Sequence, residues 1–193
     1  MKQDNLFLPL FNKIDELLLV KKKVIVAIEG GSASGKTTLS EQLNKVYDCT
    51  IFHMDDFFLR PNQRTQERLN EIGGNIDKER FLEEILIPLS NNEIINYRKF
   101  DCSTQTLGES IIVVPRKLII IEGAYSMHPI LQKYYDLKVF LDISESLQTE
   151  RINKRNSPEF AIRFFNEWIP LEHKYFSGMN IKNKCDLIIK MNE

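Results

Sequence analysis

The densest chemistry in the sequence lies in residues 28–39, IEGGSASGKTTL, which hold Gly30, Gly31 and Gly35 in a chain with only 8 Gly. Gly30-Gly31-Ser32-Ala33-Ser34-Gly35-Lys36-Thr37 satisfies G-x-x-x-x-G-K-[ST]. It follows an apolar run and opens a segment of helical pattern, the context in which this motif surrounds an anion with backbone N–H groups and a helix amino end. Side chains would obstruct that approach, so glycine is needed. Gly30, Gly31, Ser32, Ala33, Ser34, Gly35, Lys36, Thr37 and Thr38 are therefore expected to hold nucleotide phosphates. Lys36 would reach the β- and γ-phosphates, and the Thr37 hydroxyl would hold Mg²⁺.

A second cluster is FHMDDFFLRP, residues 52–61. An acid there would sit across a crevice from the glycine loop. Phosphoryl transfer to an alcohol needs a carboxylate to orient the hydroxyl and take its proton. Asp55 is the candidate; the competing reading is that Asp55 or Asp56 caps a short helix. Phe57 and Phe58 fit a core better than a substrate platform. The run Ile119-Ile120-Ile121-Glu122-Gly123 ends in one acid followed by glycine, which suits metal placement better than activation of a water. Arg151 and Arg155 share a helix face at i, i+4 and could stabilise phosphate charge through their forked donors. A solvated face paired with Glu150 is the alternative, and Arg163 is a weaker candidate. His53 reads as a strand-end structural residue, His128 and His173 as structural or surface residues.

Other nucleotide-dependent classes fit less well. No Asp begins the D-x-x-G of a switch GTPase. Asn183-Lys184-Cys185-Asp186 matches N-K-x-D, but it leads into a strand where that motif should follow one.

Positioning these residues calls for five short strands, at 24–28, 50–53, 118–121, 138–141 and 186–189. Helical patterns fall at 7–20, 37–47, 77–89, 144–156 and 161–176. Strands alternating with helices predict an α/β sandwich of three layers, a five-stranded parallel sheet with helices on both faces. Ligands in such sheets bind beyond the carboxyl ends of the strands, where the acids and the glycine loop fall. Residues 94–101 and 110–114 alternate like a hairpin, split by a Ser/Thr/Gly-rich stretch. One domain over 1–193 is expected, with a leading helix and turn at 1–22, the hairpin at about 94–115 and a helical lid at about 144–165.

Composition narrows the partners. Lys+Arg 26 against Asp+Glu 27 gives a net charge of -1, with none of the basic excess that marks a nucleic-acid binder. No apolar run approaches the ~18 residues of a membrane span, and the broken apolar stretch at the amino end makes a poor signal peptide. Three dispersed cysteines argue against a disulfide framework or zinc site and fit a cytoplasmic protein. A homo-oligomer is left open.

Taken in order, GGSASGKTT, MDDFF, IIIEG, the Arg151-x-x-x-Arg155 helix after VFLD, and CDLII resemble the uridine kinase and phosphoribulokinase family of P-loop kinases, over about residues 24–190. The resemblance implies the P-loop NTPase fold, ATP and Mg²⁺ as cosubstrates, and a hydroxyl of a small sugar-containing molecule as acceptor. It places Asp55 at the catalytic acid, Glu122 near the magnesium, and Arg151 and Arg155 in a closing lid. DDFF-x-x-P also resembles nicotinamide riboside kinases, a sister group. The acceptor-reading segments are altered: Gly73 to Asp77 stands where those kinases carry an Asp-His-Pro-Asp segment that contacts the ribose, and Tyr97 to Ser103 where they carry a Tyr-Asp-Phe plus His hairpin that reads the base. Asp77, Tyr97, Phe100 and Asp101 are the candidates to line the acceptor pocket. A non-catalytic nucleotide-dependent switch is the rival of another class.

Overall fold

The computed structural model describes residues 6–191, so the ends of the expected 1–193 domain, including 1–5 of its leading segment, lie outside it. Five strands, β1 (Val24–Gly30), β2 (Thr50–His53), β5 (Leu118–Glu122), β6 (Leu137–Ile143) and β7 (Leu187–Met191), form a parallel sheet in the order β2-β5-β1-β6-β7. Strands β3 (Ile95–Asp101) and β4 (Thr106–Val113) form a separate antiparallel hairpin.

The unbroken apolar run in β1 reflects burial on both faces. Val24, Val26 and Ile28 pack with Leu10 and Ile14 of α1 (Leu8–Val20) and Leu39 and Leu43 of α2 (Lys36–Tyr47). Ile25 and Ala27 face the other layer. That layer holds Phe81 of α4 (Lys78–Phe81), Leu89 of α5 (Ile87–Asn91) and Tyr175 of α8 (Ile169–Gly178). A short α3 (Gln66–Asn70) lies before this layer in the chain, and α6 (Glu145–Arg155) and α7 (Pro158–Arg163) follow β6.

Three expectations shift. The helix expected over 77–89 begins after Asp77, which caps it, and runs on through a π turn, Leu82–Leu86, into α5. The helix expected over 161–176 begins earlier, at Pro158, and reaches α8 through another π turn, Phe164–Trp168. Each π turn lies just before a proline, Pro88 or Pro170. Proline has no N–H to give the preceding turn, and the widened turn accommodates that loss. In the hairpin, β4 starts at Thr106 rather than 110, because Thr106 and Leu107 pair with Asp101 and Phe100. The polar stretch read as a separator is thus partly an exposed strand. Among the described residues, no helix is long and apolar enough to cross a membrane.

Candidate active site

The phosphate loop joins β1 to α2. Gly30 has φ 152, and a Cβ there would lie 2.6 Å from the Leu141 carbonyl oxygen and 2.9 Å from Ser34 Oγ. Gly35, at φ 98, caps α2 without a side chain, so the first amides of that helix stay open to an anion. Lys36 folds back over the loop, donating to the carbonyls of Gly30 at 2.8 Å and Gly31 at 2.9 Å. Ser34 Oγ is buried and has no hydrogen-bond partner among the described residues. An unsatisfied hydroxyl, an uncapped helix and a buried ammonium beside them fit a bound polyphosphate.

The acids stand at the strand ends. Register places Glu122 of β5 beside Ile28 of β1 and His53 of β2. Its Oε1 accepts from Thr37 Oγ1 at 3.1 Å and meets His53 Nδ1 at 2.6 Å. Thr37 and Glu122 thus present hard oxygen donors together, the chemistry Mg²⁺ selects. His53, read from sequence as structural, belongs to this cluster; its pKa is raised, first by the hydrogen bond to Glu122.

The 3₁₀ turn Met54–Phe57 carries Asp55. Gly123 lets the turn close in: a Cβ there would lie 2.7 Å from Met54 Cβ. Asp55 is exposed at the mouth of the crevice, yet the crowding of protein around its carboxyl disfavours the charged form and pushes its pKa up; Glu122 and Asp56 add to the shift, while Lys36 and His53 oppose it. Asp56 faces Lys99 of the hairpin at 3.1 Å instead. Phe57 is core: it stacks on Tyr97 at 5.8 Å and meets Phe81 edge-on at 4.9 Å.

Two of the candidate arginines part company. Arg151 Nη1 donates to the Ala33 carbonyl at 3.1 Å. Arg155 is exposed and lies over the Phe164 ring at 5.6 Å, with no hydrogen bond to the loop among the described residues. Arg163 lies over Trp168 at 5.0 Å and pairs with Glu167 at 3.4 Å. On the acceptor side, Tyr97 and Phe100 are buried, the latter beneath Arg64 at 5.7 Å. Asp77 caps α4, and its other oxygen faces Arg80 at 3.6 Å and Arg60 at 3.7 Å. Asp101 is exposed and closes the hairpin turn by accepting from Ser103 N at 2.7 Å and Ser103 Oγ at 2.6 Å. Asp186 accepts from the backbone N–H of Lys138 at 2.8 Å, tying β7 to β6.

Sequence reasoning missed Glu29, Gln148 and Glu172, which are buried behind the loop. Glu29 did leave a trace, as the one charged residue in an apolar strand; Glu172 and Gln148 sit in polar helical stretches that carry no such mark.

A parallel sheet that presents a glycine loop, a lysine and carboxylates at its strand ends defines a P-loop nucleotide-binding protein. Within that class the chain belongs to the phosphoribulokinase / uridine kinase family, whose model matches residues 25–158. A uridine kinase of Chlamydia pneumoniae is 29% identical over 148 residues, covering 72% of this chain and 64% of that protein. One of Limosilactobacillus reuteri is 27% identical over 151 residues, covering 72% and 67%. The matched stretch thus spans about two thirds of these relatives' length, and less than that for the first. Among solved structures, one described as a possible uridine kinase from Bacillus stearothermophilus aligns with a TM-score of 0.65 at 22% identity, over 94% of this chain and 100% of that one. Phosphoribulokinase from Rhodobacter spheroides aligns at 0.60 and 12%, over 88% and 70%. At these identities the structural likeness is one of fold.

Proposed function

We propose that the protein moves the γ-phosphoryl group of ATP to a primary hydroxyl of a nucleoside or a similar sugar-containing molecule. The observation that carries this reading is the position of Asp55, close enough to Lys36, His53 and Glu122 for their charges to act on its carboxyl. A carboxylate facing the phosphate-side cluster has the right chemistry to receive an alcohol's proton there. Bound ATP supplies the transferable phosphoryl group, and Mg²⁺ offsets its charge. Gly30 to Thr38 hold the phosphates, and Thr37 and Glu122 would hold the metal. Lys36 turns from the loop carbonyls toward the phosphates. Asp55 orients the acceptor hydroxyl and takes its proton as the oxygen bonds to the γ-phosphorus and the bond from that phosphorus to the β–γ bridging oxygen breaks, releasing ADP. Arg151 stabilises charge at the transferring group. Catalysis is then positioning and electrostatics.

The acceptor is a small molecule met by Tyr97, Phe100 and the hairpin. Lys99, paired with Asp56, falls in the hairpin that the resemblance assigns to base reading, so nicotinamide riboside and other sugar-containing metabolites belong in the same screen as nucleosides. The test is coupled ADP release over nucleosides, nicotinamide riboside, pantothenate and sugar phosphates. Acceptor-dependent ADP release is expected. ATP binding with no acceptor turned over would favour a non-catalytic switch.

A further inference from the structure

Ser32 has every hydrogen-bonding group engaged from behind the loop. Its N–H donates to Glu172 Oε2 at 2.9 Å and its hydroxyl to Glu172 Oε1 at 2.6 Å. Its carbonyl accepts from Gln148 Nε2 at 2.8 Å. Glu172 and Gln148 are 4% and 5% exposed, so water cannot replace these bonds cheaply. The neighbouring Gly31 leaves room for them: a Cβ there would lie 3.0 Å from Gln148 Nε2 and 3.4 Å from Glu172 Oε2. Helix α8 grips the loop a second time through Tyr175, whose hydroxyl donates to Glu29 Oε2 at 3.0 Å while Glu29 Oε1 accepts the Gly30 N–H at 3.0 Å.

A carboxylate this close to a polyphosphate site carries an electrostatic penalty. A side chain that stands there despite that penalty does more than fill space. The elements it joins indicate what. Gln148 and Arg151 lie one helical turn apart on α6, and both bond to the loop, at Ser32 and Ala33. Helix α8 is continuous, through the π turn containing Trp168, with α7. Helix α6, within the expected lid at about 144–165, and helix α8, just beyond it, are thus both fastened to one residue of the phosphate loop.

We propose that Glu172 is a positioning residue that couples the phosphate loop to the lid through Ser32. It holds Ser32 from behind the phosphate loop, and it transmits occupancy of the loop to the segment between α6 and α8. This rests on the nucleotide-binding part of the proposed function and is independent of the acceptor.

The experiment therefore uses no acceptor. MgATP is titrated by calorimetry into the wild type, Glu172→Ala, Glu172→Gln and Ser32→Ala, while the emission of Trp168, the single tryptophan, reports on the lid. Thermal melts of each variant run alongside. The wild type is expected to bind with a change in Trp168 emission. Glu172→Ala should bind ~10-fold more weakly, the scale of a lost charged hydrogen bond, and lose the emission change. Glu172→Gln, which can still accept from the Ser32 N–H, should bind within about threefold of wild type and keep the emission change. Ser32→Ala, lacking only the hydroxyl bond, should fall between them and carries the test if Glu172→Ala fails to fold. Equal affinity and an unchanged Trp168 response in both Glu172→Ala and Ser32→Ala would overturn the coupling. A lower melting temperature with normal binding would reduce Glu172 to a structural prop. No binding by the wild type would remove the nucleotide reading itself, and the coupling with it.

Discussion

The two sides of the crevice are built by different means. On the phosphate side, polar groups are tied together across elements: Lys36 by loop carbonyls, Glu122 by Thr37 and His53, Ser32 by Glu172 and Gln148, with the buried Ser34 hydroxyl left without a partner among the described residues. On the acceptor side the buried surface is largely aromatic, with Tyr97 against Phe52 and Phe57, and the Asp56–Lys99 pair reaches solvent, Lys99 being about half exposed. Buried polar networks fix geometry because every broken bond leaves an unsatisfied group. Aromatic packing with solvated ion pairs constrains shape but tolerates changes of charge and size. The phosphate side is thus specified for one chemistry, and the acceptor side is the part of this fold able to vary its ligand.

The sharpest way to break that contrast is at its centre. Lys36→Ala should abolish turnover. Lys36 is buried and bonds to two carbonyls, so the variant should also lose about 1 kcal/mol of stability. Turnover and a thermal melt on the same sample decide it; near-normal turnover would sink the phosphate-loop assignment. Asp55→Asn should follow, with a kcat loss of about 10²–10⁴ and ATP affinity unchanged or slightly tighter, because a negative charge leaves the site. Asp56→Asn tests the other side of the crevice. It removes one member of a partly solvated pair with Lys99 and should cost far less. Steady-state kinetics beside ATP titration would expose an error of register if Asp56→Asn were the inactive protein.

Arg151 and Arg155, equivalent on a helical wheel, should separate. Arg151→Ala removes a group already bonded to the loop and should lower kcat ~10–100-fold with a smaller effect on ATP affinity, as for a contact strengthened in the transition state. Arg155→Ala, which leaves only a ring contact, should change kcat less than threefold. Equal losses would mean that the lid closes further than this structure shows, bringing both guanidinium groups to the phosphates.

How legible this was in the sequence follows the same division. The sheet, the glycine loop and the strand-end acids are local patterns: an apolar run, then a turn of glycines, then an acid. They announce themselves because backbone geometry and burial dictate them residue by residue. The clamp on Ser32 does not, since Glu172 lies 140 residues further along the chain and only the tertiary fold makes them neighbours. The π turns escaped because a proline in a helical pattern signals disruption without saying whether the helix ends or widens. Arg151 and Arg155 could not be ranked by spacing, since i, i+4 gives a shared face but not which residue meets the loop. Asp101, plausible as a pocket residue by its neighbours, is engaged in its own turn.

The smallest predicted effect tests whether the phosphate side carries an internal electrostatic cost. Glu29 is fully buried, and burial pushes its carboxyl from the usual 4.5 up to about 7, against the opposing influence of the Met127 and Gly30 N–H groups, Lys36 and the Tyr175 hydroxyl. The other titratable groups facing it stay neutral across that range: burial holds the hydroxyls of Tyr125, Tyr135 and Tyr175 above their usual values and pushes the Cys185 thiol up to about 12. Between about pH 4.5 and 7 the folded protein keeps a proton on Glu29 that the unfolded chain has released. Folding then takes up a proton, so stability falls as pH rises through that window and levels off above it. Glu29→Gln cannot titrate. The melting temperature of the wild type, measured relative to Glu29→Gln, should therefore decline by a few degrees between pH 5 and 7 and run parallel above. Parallel curves throughout would mean that Glu29 stays in one protonation state across the window, with its hydrogen bonds rather than its burial deciding which. The matching control is Lys99→Met at the solvated acceptor pair, where the difference curve should be shallower over the same range, because Lys99 keeps its proton and acts there only through the small effect of its charge on His53. A control slope as steep as that for Glu29→Gln would place the pH sensitivity on the acceptor side and reverse the contrast between the two halves of the crevice.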